Sequence, residues 1–442
     1  MKTDCNKPLG LVFFPAFDWA ISPTHPEREE RLLFTRDQVL EEGLLDLPQI
    51  REYKPQLASM TDLERVHIGV PDLSSLITDA HRVSAGGAIT AAEAVLRGET
   101  ARSFALVRPP GHHAMRVVHG TRGFCTVNIE AVMVESLRRR YGLRRVAIVD
   151  TDVHHGDGTQ DIYYHDPDTL FISFHQDGRT LYPGSGFPNE AGSPAALMST
   201  VNIPLPPGTT DQGLHRVLDE LVLPMLADFQ PDLIVNSAGQ DNHYSDPLAN
   251  MAVTAQGYAR LAEKLRADVA VLEGGYSIED ALPYVNVGII LAMAGLDYSR
   301  VSEPDLDRAP AQSAATTAYI EKLISDWRGK WRDRESLRRS AMAATGDCWQ
   351  RERDIYYDDS QIMEHQQETL YYCSHCPGFM TISTKSDGGW GEKKTAYAAI
   401  LQKESCPSCR DRGKDALQKA KRQGNHLYYI LQDKREDCCD RV

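Results

Sequence analysis

The stretch VAIVDTDVHHGDGTQ, residues 146–160, places three carboxylates and two histidines directly after a short apolar run. In an extended strand, side chains at i, i+2 and i+4 point the same way, so Asp150, Asp152 and His154 share one face. Buried carboxylates repel each other and lose hydration, and a divalent cation removes that cost. Asp241, in SAGQD, can complete an Asp/His/Asp set that suits catalytic Zn²⁺ or Fe²⁺. The alternative is a hydrogen-bonded strand end without metal.

Two adjacent histidines, His112 and His113, follow Pro-Pro-Gly in RPPGHHA and are therefore expected on a turn. An imidazole titrates close to neutral pH and can act as a general base toward water. Each ring needs a carboxylate to fix its tautomer, and Asp150 and Asp157 are available. The alternative is a pair of surface histidines.

A tyrosine ends the motif EGGY at residues 273–276. Two glycines allow the backbone to pass close to a ligand, and Tyr276 could then present its hydroxyl to a developing oxyanion. The motif is short, and an ordinary Gly-Gly-Tyr turn is the alternative.

The elements that would position these residues are five apolar runs, each leading into polar residues. They are FALV (104–107), VAIV (146–149), LFISF (170–174), LIV (233–235) and VAVL (269–272). Helical patterns at 85–99, 211–229 and 254–268 lie between or beside them, which predicts an α/β fold with a buried parallel sheet. Ligands bind beyond the carboxyl ends of such strands, so five loops are expected to meet in one crevice.

Together these motifs resemble the zinc-dependent histone deacetylase family, in its class II and bacterial branch, which includes acetylpolyamine amidohydrolases. The resemblance runs from HPEREERL (25–32) to about residue 300 and includes GFCTVN (123–128), SFHQ (173–176), YPGSG (182–186) and DPL (246–248). It implies the arginase-like fold, a central parallel sheet flanked by helices, and hydrolysis of an N-acetyl amide to acetate and a free amine.

The resemblance also implies a role for each site residue. Zinc would be bound by Asp152, His154 and Asp241. The catalytic set would be His113 as general base and acid, His112 as its electrostatic partner, Asp150 and Asp157 as their carboxylates, and Tyr276 on the oxyanion. Phe124 and Tyr182 would wall the acyl-lysine tunnel, and the backbone of Gly123 would contact substrate. A structural K⁺ would lie near Asp150, Asp152, His154, Ser173 and Phe174.

Three positions depart from the family pattern. Gln240 stands where class II members usually have Phe, and Tyr182 replaces the more usual Phe of one tunnel wall. Leu248 occupies a gate position where polyamine-specific relatives of one branch carry Glu, which argues against acetylpolyamines. We therefore expect a deacetylase of acetyl-lysine in proteins or peptides. The alternatives are an amidohydrolase of acetylpolyamines or other small acylated amines, and a catalytically silent acyl-lysine binding module.

The C-terminal part contains two C-x2-C pairs, CSHC and CPSC, formed by Cys373, Cys376, Cys406 and Cys409. Four such cysteines commonly bind a structural Zn²⁺, and the insert 378–401 is expected to form a hairpin of a zinc ribbon. A redox-active or metal-free pair is the alternative. The predicted domains are a catalytic domain (1–300), a linker with a helix (301–365) and a four-cysteine, zinc-ribbon-like domain (366–442).

Composition limits the cellular setting and the partners. The chain has 442 residues, 42% of them hydrophobic, with no apolar stretch near the ~20 residues of a membrane span. The N-terminus has no apolar signal region, and the nine cysteines favour a reducing cytoplasm. A net charge of −14 argues against nucleic acid and is compatible with cationic substrates. The sequence leaves open whether the chain forms a homo-oligomer.

Overall fold

The computed structural model of the protein describes residues 7–17, 19–22, 24–388 and 393–442. The strands, in chain order, are β1 (Leu9–Phe14), β2 (Ile50–Tyr53), β3 (Ile68–Gly69), β4 (Arg102–Val107), β5 (Val117–Val118), β6 (Val146–Asp150), β7 (Thr169–Gln176), β8 (Thr200–Leu205), β9 (Leu233–Ala238), β10 (Val269–Leu272), β11 (Cys348–Tyr357), β12 (Ile362–Tyr371), β13 (Phe379–Gly388), β14 (Lys393–Leu401), β15 (Tyr428–Asp433) and β16 (Cys438–Arg441). The α-helices are α1 (Glu30–Glu41), α2 (Met60–Glu64), α3 (Asp79–Leu96), α4 (Ile129–Tyr141), α5 (Asp157–Tyr163), α6 (Asp211–Val217), α7 (Leu223–Phe229), α8 (Ala255–Leu265), α9 (Leu282–Ala294), α10 (Ala314–Thr345) and α11 (Pro407–Gln423).

The larger sheet has eight parallel strands in the order β2-β1-β4-β10-β9-β6-β7-β8. All five predicted apolar runs lie in it. Successive residues of β6 enter opposite cores, Val146 and Ile148 on one side and Ala147 and Val149 on the other. Both faces of the sheet are thus covered, which is why its strands are continuously apolar. The expected α/β class with a central parallel sheet flanked by helices is confirmed.

The helical patterns also form helices. The pattern at 254–268 forms α8, where the Thr254 side chain accepts the amide of Gly257 and caps the first turn. The pattern at 211–229 is divided into α6 and α7 by a wider π turn at Leu218–Val222. Pro224 follows that turn and has no amide hydrogen to donate, which a regular helix interior would require.

The C-terminal sheet contains six strands in the order β11-β12-β13-β14-β15-β16. Only β14 and β15 pair in parallel, with α11 as the connection between them. The expected hairpin at 378–401 is present as β13 and β14, although residues 389–392 lie outside the described part. The sheet begins at Cys348, so the predicted boundary at residue 366 falls inside β12, and α10 is the helix expected in the linker.

The two sheets share an apolar core. Ile68 and Val117 of the small β3–β5 ladder, together with Val70, pack in one cluster with Leu370 and Ile382 of the C-terminal sheet. The C-terminal sheet is therefore packed directly on the part of the chain that carries RPPGHHA. In the described residues, no helix has the length and apolar character to cross a membrane.

Candidate active site

The sequence-predicted site residues follow the carboxyl ends of four neighbouring strands of the large sheet. His112 and His113 follow β4, Asp152 and His154 follow β6, Asp241 follows β9 and Tyr276 follows β10. These four strands are adjacent in the order β4-β10-β9-β6. The parallel sheet thus brings together loops that are distant in sequence.

Asp152, His154 and Asp241 form a cluster whose ligand atoms all lie within 4.8 Å of one another. Nδ1 of His154 lies 3.1 Å from Oδ1 of Asp152 and 3.2 Å from Oδ2 of Asp241. Ligands at ~2.1 Å from a tetrahedral Zn²⁺ would be about 3.4 Å apart, so this donor set fits such an ion.

Two glycines keep room around these ligands. A Cβ at Gly239 would collide with the Asp152 carboxylate, and a Cβ at Gly274 with the Asp241 carboxylate. Both carboxylates are fully buried. Burial and the charge of Asp152 raise the pKa of Asp241, so the pair is unfavourable without positive charge between its members.

The paired histidines are buried, which excludes the surface alternative. Nδ1 of His112 lies 3.1 Å from Asp150, and Nδ1 of His113 lies 2.8 Å from Asp157. Burial and the neighbouring His112 lower the pKa of His113 to about 3. Burial opposes charge on His112, but Asp152 and Asp150 raise its pKa to about 9. The two ring centres lie 4.0 Å apart, with the rings tilted by 48°. Two adjacent imidazoles with opposite pKa shifts can divide the roles of base and cation.

Arg122 is a site residue that sequence reasoning did not find. Its guanidinium donates to Oδ2 of Asp157 at 3.1 and 2.5 Å and lies 5.4 Å from the centre of the Tyr182 ring. Burial alone would raise the pKa of Asp157, but Arg122 and His113 hold it below its usual value. Arg122 directly precedes the motif GFCTVN, and this position is the one sequence feature that could have identified it as a site residue.

Tyr276 is 7% exposed, and Asp246 and Arg31 hold it in place. Its amide donates to Asp246 at 2.6 Å, and the guanidinium of Arg31 lies 4.7 Å from its ring centre. Gly275 has φ +122°, a conformation that a side chain rarely adopts. Burial raises the pKa of the Tyr276 hydroxyl well above its usual value, so the hydroxyl keeps a proton to donate.

The predicted tunnel walls lie beside Tyr276 and His113. The Phe124 ring is 5.7 Å from Tyr276, and the Tyr182 ring is 5.2 Å from His113. Gly123 and Phe124 both have positive φ, +50° and +69°. Leu248 is half-buried, and its amide donates to Asp246, the same carboxylate that accepts from Tyr276. The gate residue Leu248 and the phenol of Tyr276 are therefore held by one carboxylate.

Of the residues implied for K⁺, Asp150, Ser173 and Phe174 lie on the adjacent strands β6 and β7, and Asp152 and His154 follow β6. Asp150 pairs in register with Ser173, and the buried Phe174 follows it. The Ser173 hydroxyl contacts His175 at 2.8 Å.

A second cluster joins Cys373, Cys376, Cys406 and Cys409, whose sulfur atoms lie within 4.8 Å of one another. The first two follow β12, and the last two lie at the start of α11. Hydrogen bonds from the His375 backbone and from the other thiols lower the pKa of Cys373 to about 7. Four sulfurs around a Zn²⁺ would be about 3.8 Å apart, so the cluster fits that ion.

Comparisons with known proteins agree with this geometry. The Histone deacetylase domain family matches residues 72–288. A probable deacetylase of Archaeoglobus fulgidus is 47% identical over 74% of this chain and 92% of the relative. A histone deacetylase-like amidohydrolase of Pseudomonas aeruginosa is 38% identical over 50% of this chain and 60% of the relative. An acetylpolyamine amidohydrolase of Burkholderia pseudomallei is 42% identical over 44% of this chain and 57% of the relative.

A solved structure, described as the HDA15 HD domain, has the same fold. It superposes with a TM-score of 0.65 and 25% identity, covering 76% of this chain and 99% of that chain. The family match, the archaeal relative and the shared fold together confirm the resemblance drawn from the motifs. The chain belongs to the histone deacetylase family of deacetylases and amidohydrolases.

Proposed function

We propose that the protein is a zinc-dependent deacetylase whose substrate is acetyl-lysine in proteins or peptides. The observation that carries the proposal is the meeting of three kinds of group at one edge of the large sheet. These are a three-ligand cation site, two carboxylate-bound imidazoles and a buried phenol. The aromatic walls Phe124 and Tyr182 suit the alkyl chain of a lysine, and the gate residue Leu248 adds no charge.

The chain's own residues supply the proton transfers. A divalent cation held by Asp152, His154 and Asp241 would supply a Lewis acid for the acetyl carbonyl and make water more acidic. His113 is neutral at pH 7 because its pKa is lowered, and Asp157 binds its Nδ1, so Nε2 is free to take the proton of the attacking water. The protonated His113 then gives that proton to the leaving amine.

Positive charge and a hydroxyl donor stabilise the tetrahedral intermediate. His112 keeps its proton because its pKa is raised, and Asp150 orients the ring. The protonated Tyr276 hydroxyl donates to the developing oxyanion. No covalent bond to the protein forms.

Two observations support the alternative that the substrate is an acetylpolyamine. One relative is an acetylpolyamine amidohydrolase, and two carboxylates, Asp358 and Asp359, lie beside the predicted tunnel walls. We infer further that the four-cysteine cluster holds a structural Zn²⁺ and that the neighbouring strands at Asp150 and Ser173 hold K⁺.

The test is a substrate and metal screen on one purified sample. Zinc and iron are measured per chain, and turnover is measured on acetyl-lysine peptides, N-acetylputrescine and longer acyl-lysines. We expect Tyr276→Phe to lower kcat about 10²–10³-fold and His113→Ala about 10²–10⁴-fold, with the active-site metal retained. Tyr319→Phe, an exposed tyrosine on α10, is the control. Undiminished turnover in either site variant would refute the assigned roles.

A further inference from the structure

The turn between β11 and β12, residues 358–361, lies against the loop 120–124 of the active site. Three consecutive side chains of this hairpin tip accept backbone amides of that loop. The Thr121 amide donates to the Ser360 hydroxyl at 2.8 Å, the Gly123 amide to Asp358 at 3.0 Å and the Phe124 amide to Asp359 at 2.8 Å. The C-terminal sheet therefore fixes the backbone of the predicted tunnel wall.

The hairpin tip is itself firmly anchored. Ile355 and Tyr357 pack with Met115 in a small buried cluster. The Tyr357 hydroxyl donates to the carbonyl of Val117 at 2.7 Å. A Cβ at Gly120 would collide with Ser360, which shows how closely the two segments approach.

The hairpin tip brings unbalanced negative charge to this wall. Oδ1 of Asp358 also accepts the Tyr182 hydroxyl at 3.2 Å, so this carboxylate joins the backbone of Gly123 to the Tyr182 wall. Among the residues that the structure describes, no hydrogen bond reaches the second oxygen of Asp358 or of Asp359, and both residues are half-exposed. The pKa of Asp359 is raised, chiefly by burial and also by the charge of Asp358.

Nearby cations do not balance these two carboxylates. Arg122 pairs with Asp157, and its charge also interacts with Asp358, so one guanidinium faces the three carboxylates of Asp157, Asp358 and Asp359. Burial lowers the pKa of His25, which lies beside Phe124 and is neutral at pH 7. The pair of aspartates therefore leaves about two negative charges at the wall, and a cation placed there would relieve their mutual repulsion.

We infer that the hairpin tip forms one side of the substrate entrance and that Asp358 and Asp359 select acetylated amines carrying a second positive charge near the acetyl group. The inference rests on the proposed function and adds a specificity determinant from outside the matched family region. The recognised chemistry is an ammonium or guanidinium group. Its source is a Lys or Arg flanking acetyl-lysine in a peptide, or the free amine of an acetylpolyamine.

The experiment compares substrates that differ only in charge. The metal-loaded full chain is given acetyl-lysine peptides flanked by Arg or by Glu, and N-acetylputrescine or its uncharged analogue N-butylacetamide. In the double variant Asp358→Asn, Asp359→Asn, the side-chain oxygens can still accept the loop amides, but the charge is lost. The matched control is Glu352→Gln, which replaces an exposed carboxylate about 20 Å from Asp358 along β11.

We expect the wild type to prefer the Arg-flanked peptide, and the kcat/KM ratio of Arg- to Glu-flanked peptide to fall about tenfold in the double variant. The change should lie in KM, and added salt should reduce the wild-type preference. Glu352→Gln should keep the wild-type ratio. If the wild type prefers N-acetylputrescine over N-butylacetamide but shows no preference between the two peptides, the inference is supported and the recognised cation is the amine of a polyamine.

Equal use of both members of each pair by the wild type, or an unchanged ratio in the double variant, would overturn the inference and leave the deacetylase function standing. No turnover of any acyl amine by metal-loaded protein would overturn the proposed function itself, and the inference with it.

Discussion

Replacing Arg122 by Met removes the buried guanidinium that holds Asp157 and, through it, His113. Arg122 and Asp157 are 8% and 7% exposed, so the ion pair is largely shielded from water. Breaking a buried ion pair by removing one member costs about 3–5 kcal/mol. With an unfolding entropy of about 2 cal/mol/K per residue, a chain of 442 residues unfolding as one unit would lose about 3–5 °C in Tm.

The control for this prediction is Arg144→Met. Arg144 pairs with Asp168 at 3.2 Å, but its side chain is 78% exposed. Such a surface pair contributes about 0–1 kcal/mol, so the change in Tm should be about 1 °C or less. Thermal unfolding followed by circular dichroism measures both variants. Equal losses in the two variants would refute the reasoning, because they would mean that the buried carboxylate does not depend on Arg122.

The pH dependence gives a second check on the same variant. The pKa of Asp157 is lowered in the folded protein, whereas an unfolded Asp titrates at about 3.9. A lowered folded pKa adds stability that is present above the unfolded pKa and is lost as the pH falls through the folded one. The difference in Tm between wild type and Arg122→Met should therefore be full at pH 7 and shrink below about pH 4.

Two further predictions concern the metal sites. Gly274→Ala should lower active-site metal content and kcat together, because the new Cβ would collide with Asp241, whereas Gly329→Ala on α10, with open space around its Cβ, should leave both unchanged. Metal analysis after dialysis, with turnover on the same sample, checks this, and full metal occupancy in Gly274→Ala would contradict it. Cys376→Ser should release one zinc per chain and lower Tm, whereas Cys348→Ser, outside the cluster, should not. Loss of zinc in both cysteine variants, or in neither, would count against the four-cysteine site.

Much of the large sheet could be predicted because burial on both faces leaves a strong signal. Every residue of β6 is buried, so its sequence is continuously apolar until Asp150. The clustering of Asp152 with Asp241 followed from the rule that parallel strands present their carboxyl ends at one edge. The charged residues at the strand ends were therefore predicted as site residues from their position alone.

The hairpin of β11 and β12 could not be predicted by the same reasoning. Its inward-facing residues include Arg351, Arg353 and Glu368, which form ion pairs with one another and with Asp161. Paired charges occupy the middle of this interface and interrupt the apolar alternation, so hydrophobic periodicity does not detect it. Asp358 therefore became a site residue only through its contacts with loop 120–124.

The order of strands in the large sheet determines when the active site can form during synthesis. β9 lies between β6 and β10, although the chain makes β7 and β8 before it. A nascent chain that has passed Asp152 and His154 still lacks Asp241, which follows about 90 residues later, and Tyr276, which comes later again. We therefore expect no complete active site in ribosome-bound or truncated chains that end before β10, because they lack Tyr276 and the strand that lies between β4 and β9.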